Sequence, residues 1–227
     1  MELAIDTSNN SASIALSQQG EAQAEFTWLS EQNHTVELVP NIRHLLQQTG
    51  VRLDDLDAVI VARGPGSFNG LRVGVATAKG LSYALGIPLV GIGTFEVEAF
   101  PHRLAGLPVC AVASAGRGEV GAAMYEPREG ELVPLFTEHI TTIEKLCSRI
   151  VSPTIFCGHL PPDTVHQLVR SLGDKAVVSH GLRRAGYLAE LGWRRLGRDE
   201  SDDPATLQPI YLRPPSVTKP KRRTIKR

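Results

Sequence analysis

Two short polar clusters carry the residue types that could do chemistry. Asp6-Thr7-Ser8 follows the apolar run Leu3-Ala4-Ile5, so a carboxylate and two hydroxyls stand at the carboxyl end of a strand. That is where α/β folds collect their ligands. Such a trio can hold a metal-bound phosphate, and it can equally satisfy the backbone of its own turn. Gly64-Pro65-Gly66-Ser67-Phe68-Asn69-Gly70 invites a phosphate-loop reading. It fails the GxxxxGK[ST] pattern, because the next lysine, Lys79, lies well inside the following helix, and it is not GxGxxG either. Ser67 or Asn69 capping a helix from Gly70 is the simpler account. His34 and His44 are ten helical residues apart, about 15 Å along an axis. One ion with ligands at about 2 Å cannot join them. The remaining histidines are isolated, no Ser-His-Asp or Cys-His set can be argued, and no metal site is expected. Cys110, Cys147 and Cys157 are odd in number and scattered, which fits buried reduced thiols and no disulfide framework.

The elements that must position these groups alternate in type. Leu3–Ile5, Ser11–Ser17 and Ala22–Trp28 read as three strands, with Gln18-Gln19-Gly20 as a hairpin turn. A helix over 33–48 puts Leu38, Val39, Ile42, Leu45 and Leu46 on one face, and Pro40 inside it predicts a kink. Ala58–Val61, the glycine-rich turn, a helix to Leu85 and the run Ile87–Ile92 form a parallel β-α-β unit. A helix near Phe95–Leu104 follows. After Gly106-Leu107-Pro108 the order repeats: strands at 109–114, 119–125 and 132–138, with a turn at 126–130. Then come a helix opened by Thr141-Thr142-Ile143-Glu144, a strand at 154–157, a helix at 162–171, a strand at 176–178 and a last helix at 182–196. Two halves of one layout predict two copies of one fold. The expected units are 1–105, 106–217 with the last helix and a Pro-rich arm, and a basic tail at 218–227. Within the second helix, Gly70, Gly74 and Ala78 recur every four residues. Helical glycine costs about 1 kcal/mol against alanine, so the stripe has a packing purpose: the chain's own sheet, or the helix of a partner.

Composition narrows the class. Aromatics are 5% of 227 residues and no apolar run approaches the ~20 residues of a bilayer span. The first residues enter a strand with no basic region, so the expectation is no secretory leader and a cytoplasmic protein. Net charge is zero but uneven. Lys219, Lys221, Arg222, Arg223, Lys226 and Arg227 close the chain, leaving 18 basic against 24 acidic residues before them.

IDTSN after the first strand, an HT-x-E-L-x-P helix, GPGSFNGLRVGVATAKGLSYALGIPLVGIGTFE and a late P-x-YLRPP together resemble the TsaB family. That family supplies the dimerisation subunit of the bacterial machinery that makes threonylcarbamoyladenosine in tRNA. The resemblance is strong over residues 1 to about 100 and recognisable at 204–214. It implies two RNase-H-like α/β domains of the actin-like ATPase superfamily, facing across a cleft. It implies a scaffold without intrinsic catalysis or cofactor, which pairs with a TsaD-like catalytic subunit through its first two helices. A TsaE-like ATPase joins the complex, ATP and Mg are used by the partners, and a homodimer is the alternative when the partner is absent. His34, Leu38, Ile42, Leu45, Gly70, Leu71, Gly74, Val75 and Ala78 are then the expected interface. Asp6, Thr7 and Ser8 become a vestigial phosphate-loop cleft, and Lys219, Lys221, Arg222 and Arg223 the candidate tRNA contacts. The chain departs from the family at Asn69, where Thr is common, and at Ser114–Gly121, where a sequence close to DARRGEVY is common.

Two function classes follow. One is the scaffold. The other is a stand-alone actin-like ATPase or small-molecule kinase using Asp6. That chemistry requires a second acid from the other domain, and the chain offers Ser114 there. A peptidase finds no nucleophile and base to rest on.

Overall fold

The computed structural model describes residues 1–31 and 33–213. Two five-stranded mixed sheets share one topology. The first runs β3-β2-β1-β4-β5, from strands β1 (Glu2–Asp6), β2 (Ser11–Gln18), β3 (Glu21–Leu29), β4 (Ala58–Ala62) and β5 (Leu89–Ile92). The second runs β8-β7-β6-β9-β10, from β6 (Val109–Gly116), β7 (Glu119–Arg128), β8 (Glu131–Thr141), β9 (Thr154–His159) and β10 (Ala176–Val178). In each, a central strand pairs antiparallel with the next strand and parallel with a later one: Asp6 faces Ser13 and Ile5 faces Val61, while Val109 faces Tyr125 and Ile155. The hairpin turns use positive φ at both central residues, Gln19-Gly20 and Glu129-Gly130. That geometry matches the twist of the flanking strands. The β7–β8 turn is therefore tighter than the expected 126–130, and β7 continues through Pro127.

The helices follow the apolar spacing. The first, α1 (His34–Thr49), buries Leu38, Ile42, Leu45 and Leu46, and runs unbroken through Pro40 on its exposed side. The second, α2 (Phe68–Leu85), begins at Ser67, whose side chain accepts from the Gly70 N–H, and ends at Gly86 in the left-handed region. Helix α3 (Thr94–Ala99) stops short of the expected Leu104 and passes into a 3₁₀ turn at Phe100–His102. Pro101 has no N–H to continue the ladder. Helices α4 (Ile143–Cys147) and α5 (Pro162–Leu172) belong to the second half, and Thr142 caps α4. The last, α6 (Ala185–Leu196), starts three residues later than expected.

The helices cross between the two halves. A sheet has two faces, and α1 with α2 covers only one face of the first sheet. The other face is covered by α6, whose Ala185, Leu188 and Ala189 pack with Ala4, Ala15 and Ile60. Reciprocally, α3 leaves the first half and buries Phe95 and Ala99 among Val109, Ala111 and Ile155 of the second sheet. The arm also returns, with Leu207 in the first core and the Ile210 N–H donating to Arg63 O at 2.6 Å. The units 1–105 and 106–217 thus describe the sheets and not the helices that cover them. The expected tail, 218–227, lies outside the described residues.

Candidate functional site

Asp6, Thr7 and Ser8 stand where β1 ends at the base of the cleft, and all three are buried. Ser8 donates to Asp6 Oδ1 from its N–H at 2.9 Å and its hydroxyl at 2.6 Å. Thr7 Oγ1 donates to Gly70 O at 2.7 Å. Arg183 reaches Asp6 with Nε and, at 3.3 Å, with Nη2; its Nη1 donates to Glu98 Oε1 at 2.7 Å. The trio thus satisfies its own turn and an internal guanidinium. Burial opposes the Arg183 charge, but Asp6 and Glu98 outweigh it and hold its pKa above the ordinary value. Burial also pushes the Glu98 carboxyl up, against the pull of Arg183.

Sequence reading missed Arg183 because 182–196 reads as one helix. Its signal is faint: a doubled arginine, Arg183-Arg184, ahead of an apolar helix with no acid nearby. Its partners lie 177 and 85 residues away.

Above this base a cavity of about 460 Å³ separates the halves. Asn9 and Ser67 line it from the first half, and Ser114 and His159 from the second. The wall facing Asp6 presents no second acid at Ser114, which is exposed. Among the described residues, no group of three or more His, Cys, Asp or Glu side chains gathers to hold a metal. His34 is buried beside Gly70 and its pKa is lowered, chiefly by that burial, while His44 is exposed and meets the edge of Phe26 at 6.1 Å.

The nine residues expected at a partner interface are gathered, but inside. His34, Leu38, Ile42, Leu45, Gly70, Leu71, Gly74, Val75 and Ala78 are all buried by the chain itself. A Cβ on Gly70 would stand 2.1 Å from Thr7 O, and one on Gly74 2.3 Å from Thr7 Oγ1. The glycine stripe therefore lets α2 approach the end of β1. The spacing of small residues marks close approach without saying to what. The outward sides of α1 and α2 carry different residues. Val36 is 70% exposed, Val39 58% and Tyr83 85%. Ala76, Gly80 and Ala84 are exposed beside them, and a Cβ on Gly80 would meet open space. The candidate tRNA contacts Lys219, Lys221, Arg222 and Arg223 lie outside the described residues.

Comparison with known proteins places this arrangement. The family model described as "TsaD: tRNA N6-adenosine threonylcarbamoyltransferase" matches residues 28–156, more than half of the chain. The Bacillus subtilis "tRNA threonylcarbamoyladenosine biosynthesis protein TsaB" is 30% identical over 93% of this chain and 93% of its own. The structure titled "YeaZ from Pseudomonas aeruginosa" superposes with a TM-score of 0.77 at 26% identity, covering 93% of this chain and 99% of that one. A ROK hexokinase from Thermus thermophilus, at 10% identity and a TM-score of 0.52 over 86% and 98% of the two chains, shares the fold alone. The two-domain, actin-like α/β fold expected from the sequence is the fold found. No described helix is long and apolar enough to cross a membrane. The chain belongs to the family of that model and, within it, to the TsaB group of tRNA threonylcarbamoyladenosine biosynthesis proteins.

Proposed function

We propose that this chain is a non-catalytic scaffold of cytoplasmic threonylcarbamoyladenosine synthesis, pairing with a TsaD-type subunit that carries out the transfer. One observation carries the pairing: the outward sides of α1 and α2 expose Val36, Val39 and Tyr83 together with the small residues Ala76, Gly80 and Ala84. Exposed apolar surface of this kind marks protein contact. The exposed Gly80 on this side lets another helix backbone come close. A TsaE-type ATPase and tRNA join through the complex, ATP and Mg serve the partners, and a homodimer uses the same face when the partner is missing. The reading as a stand-alone ATPase or kinase is disfavoured, because Asp6 is already engaged by Arg183 and Ser114 supplies no second acid.

The test is titration calorimetry of this chain with the TsaD-type subunit. Gly80→Arg should weaken binding by at least about 30-fold, the equivalent of roughly 2 kcal/mol at the centre of an interface. Unchanged affinity in a variant that is folded by circular dichroism would place the contact elsewhere.

A further inference from the structure

The two helices that the halves exchange meet at the base of the cleft, and Arg183 sits between them. It lies two residues before α6, and its side chain is 5% exposed. Its three donors engage Asp6, which ends the central strand of the first sheet, and Glu98, on the helix that packs against the second sheet. One guanidinium therefore ties the lead-in of α6 to β1 and α3 together. The flat, five-donor fork of arginine can hold two carboxylates at once, whereas a lysine ammonium is a single point. Separating the three elements would leave charges buried and unpaired, which is costly. Both Asp6 oxygens accept from Arg183, so a divalent cation could bind there only by displacing the guanidinium.

We propose that Asp6, Arg183 and Glu98 form an ionic lock that sets the angle between the two halves and holds the cleft in one geometry with no metal or ligand. Apolar contacts also cross between the halves, with Phe95 and Ala99 of α3 buried among Val109, Ala111 and Ile155, whereas the cleft mouth is flanked by the exposed Leu29 and Leu182. The lock is thus the buried polar tie at the crossing itself.

The test measures the cleft width directly. In a Cys147→Ser background, spin labels go on Leu29→Cys and His159→Cys, which line the cleft from opposite halves. Cys110 and Cys157 are buried. Pulsed electron spin resonance should give one narrow distance distribution, unchanged by Mg²⁺ or by chelator. Arg183→Met, which keeps the stem and removes the fork, should shift it to longer distance and broaden it. Arg183→Lys should fall between. If Arg183→Met does not fold, Glu98→Gln decides, since it removes one carboxylate charge and keeps the shape. A distribution in the deciding variant that overlays the wild type would overturn the lock, as would a wild-type distribution that widens when divalent ions are removed.

Discussion

The two halves share a strand order and differ in what they place at equivalent points. In the first, the central strand ends in a buried carboxylate already engaged by Arg183; in the second, its counterpart carries the exposed Ser114 two residues before its end at Gly116. In the first, the helices over the outer face present Val36, Val39, Gly80 and Tyr83 to solvent. In the second, α5 presents Asp163, His166, Gln167 and Arg170 beside Val169, which is 47% exposed. The buried ionic centre thus lies at the end of the first sheet's central strand, and the proposed partner face lies on the helices over that same sheet. Topology sets where a site can be, and side chains at a few strand ends and helix faces decide whether one is there.

The strongest way to break that contrast is a matched pair of substitutions. Asp6→Ala strands Arg183 and should cost about 3–5 kcal/mol of stability. Ser114→Ala, near the end of the counterpart strand, should stay within about 0.5 kcal/mol. Urea denaturation of both variants checks this, and equal costs would erase the distinction between the halves. Next in size is the glycine stripe. Gly74→Arg must displace Thr7 and should destabilise by about 3 kcal/mol or more. By contrast, Gly80→Ala meets open space and should stabilise α2 by up to about 1 kcal/mol. The same melts read both, and a well-folded Gly74→Arg would mean that the stripe faces outward after all.

This pair also shows what was legible in the sequence. The succession of strands and helices along each half, a cap at Ser67 or Asn69 and β10 could be read from apolar runs and turn residues, because those signals are local. The period-four spacing of Gly70, Gly74 and Ala78 correctly marked close approach. It could not distinguish the chain's own Thr7 from a foreign helix, since that depends on a strand 63 or more residues away. The exchange of α3 and α6 between halves was invisible for the same reason. Their apolar faces fit any sheet, and only the assembled fold says which one. Arg183 was missed because a charge before a helix is ordinarily solvated, and nothing near it in sequence announces Asp6 or Glu98.

A smaller effect concerns pH. Burial lowers the pKa of His34 and of His102 below the ordinary value. Their neutral forms are favoured by folding, so their contribution is complete above about pH 6.5 and is lost as pH falls below it, by at most about 1.4 kcal/mol per pH unit for each proton. Glu96 and Glu98, raised by burial, act in the opposite sense: their uptake of protons in the folded state favours folding as pH falls toward 4.5. The histidine part is therefore read as a difference. His34→Gln should have a flatter stability profile than wild type between pH 7 and 5 on the order of this slope. Parallel profiles would mean that His34 titrates freely in the folded chain.

The central claim is that this chain contributes a face and no reacting group. The direct measurement is threonylcarbamoyl transfer to tRNA, reconstituted with the TsaD-type and TsaE-type subunits. The account predicts that Gly80→Arg, folded but outwardly blocked, abolishes modification, while Ser114→Ala with His159→Ala in the cleft leaves the rate unchanged. Full modification with Gly80→Arg, or its loss with the cleft substitutions in a complex that still assembles, would contradict it.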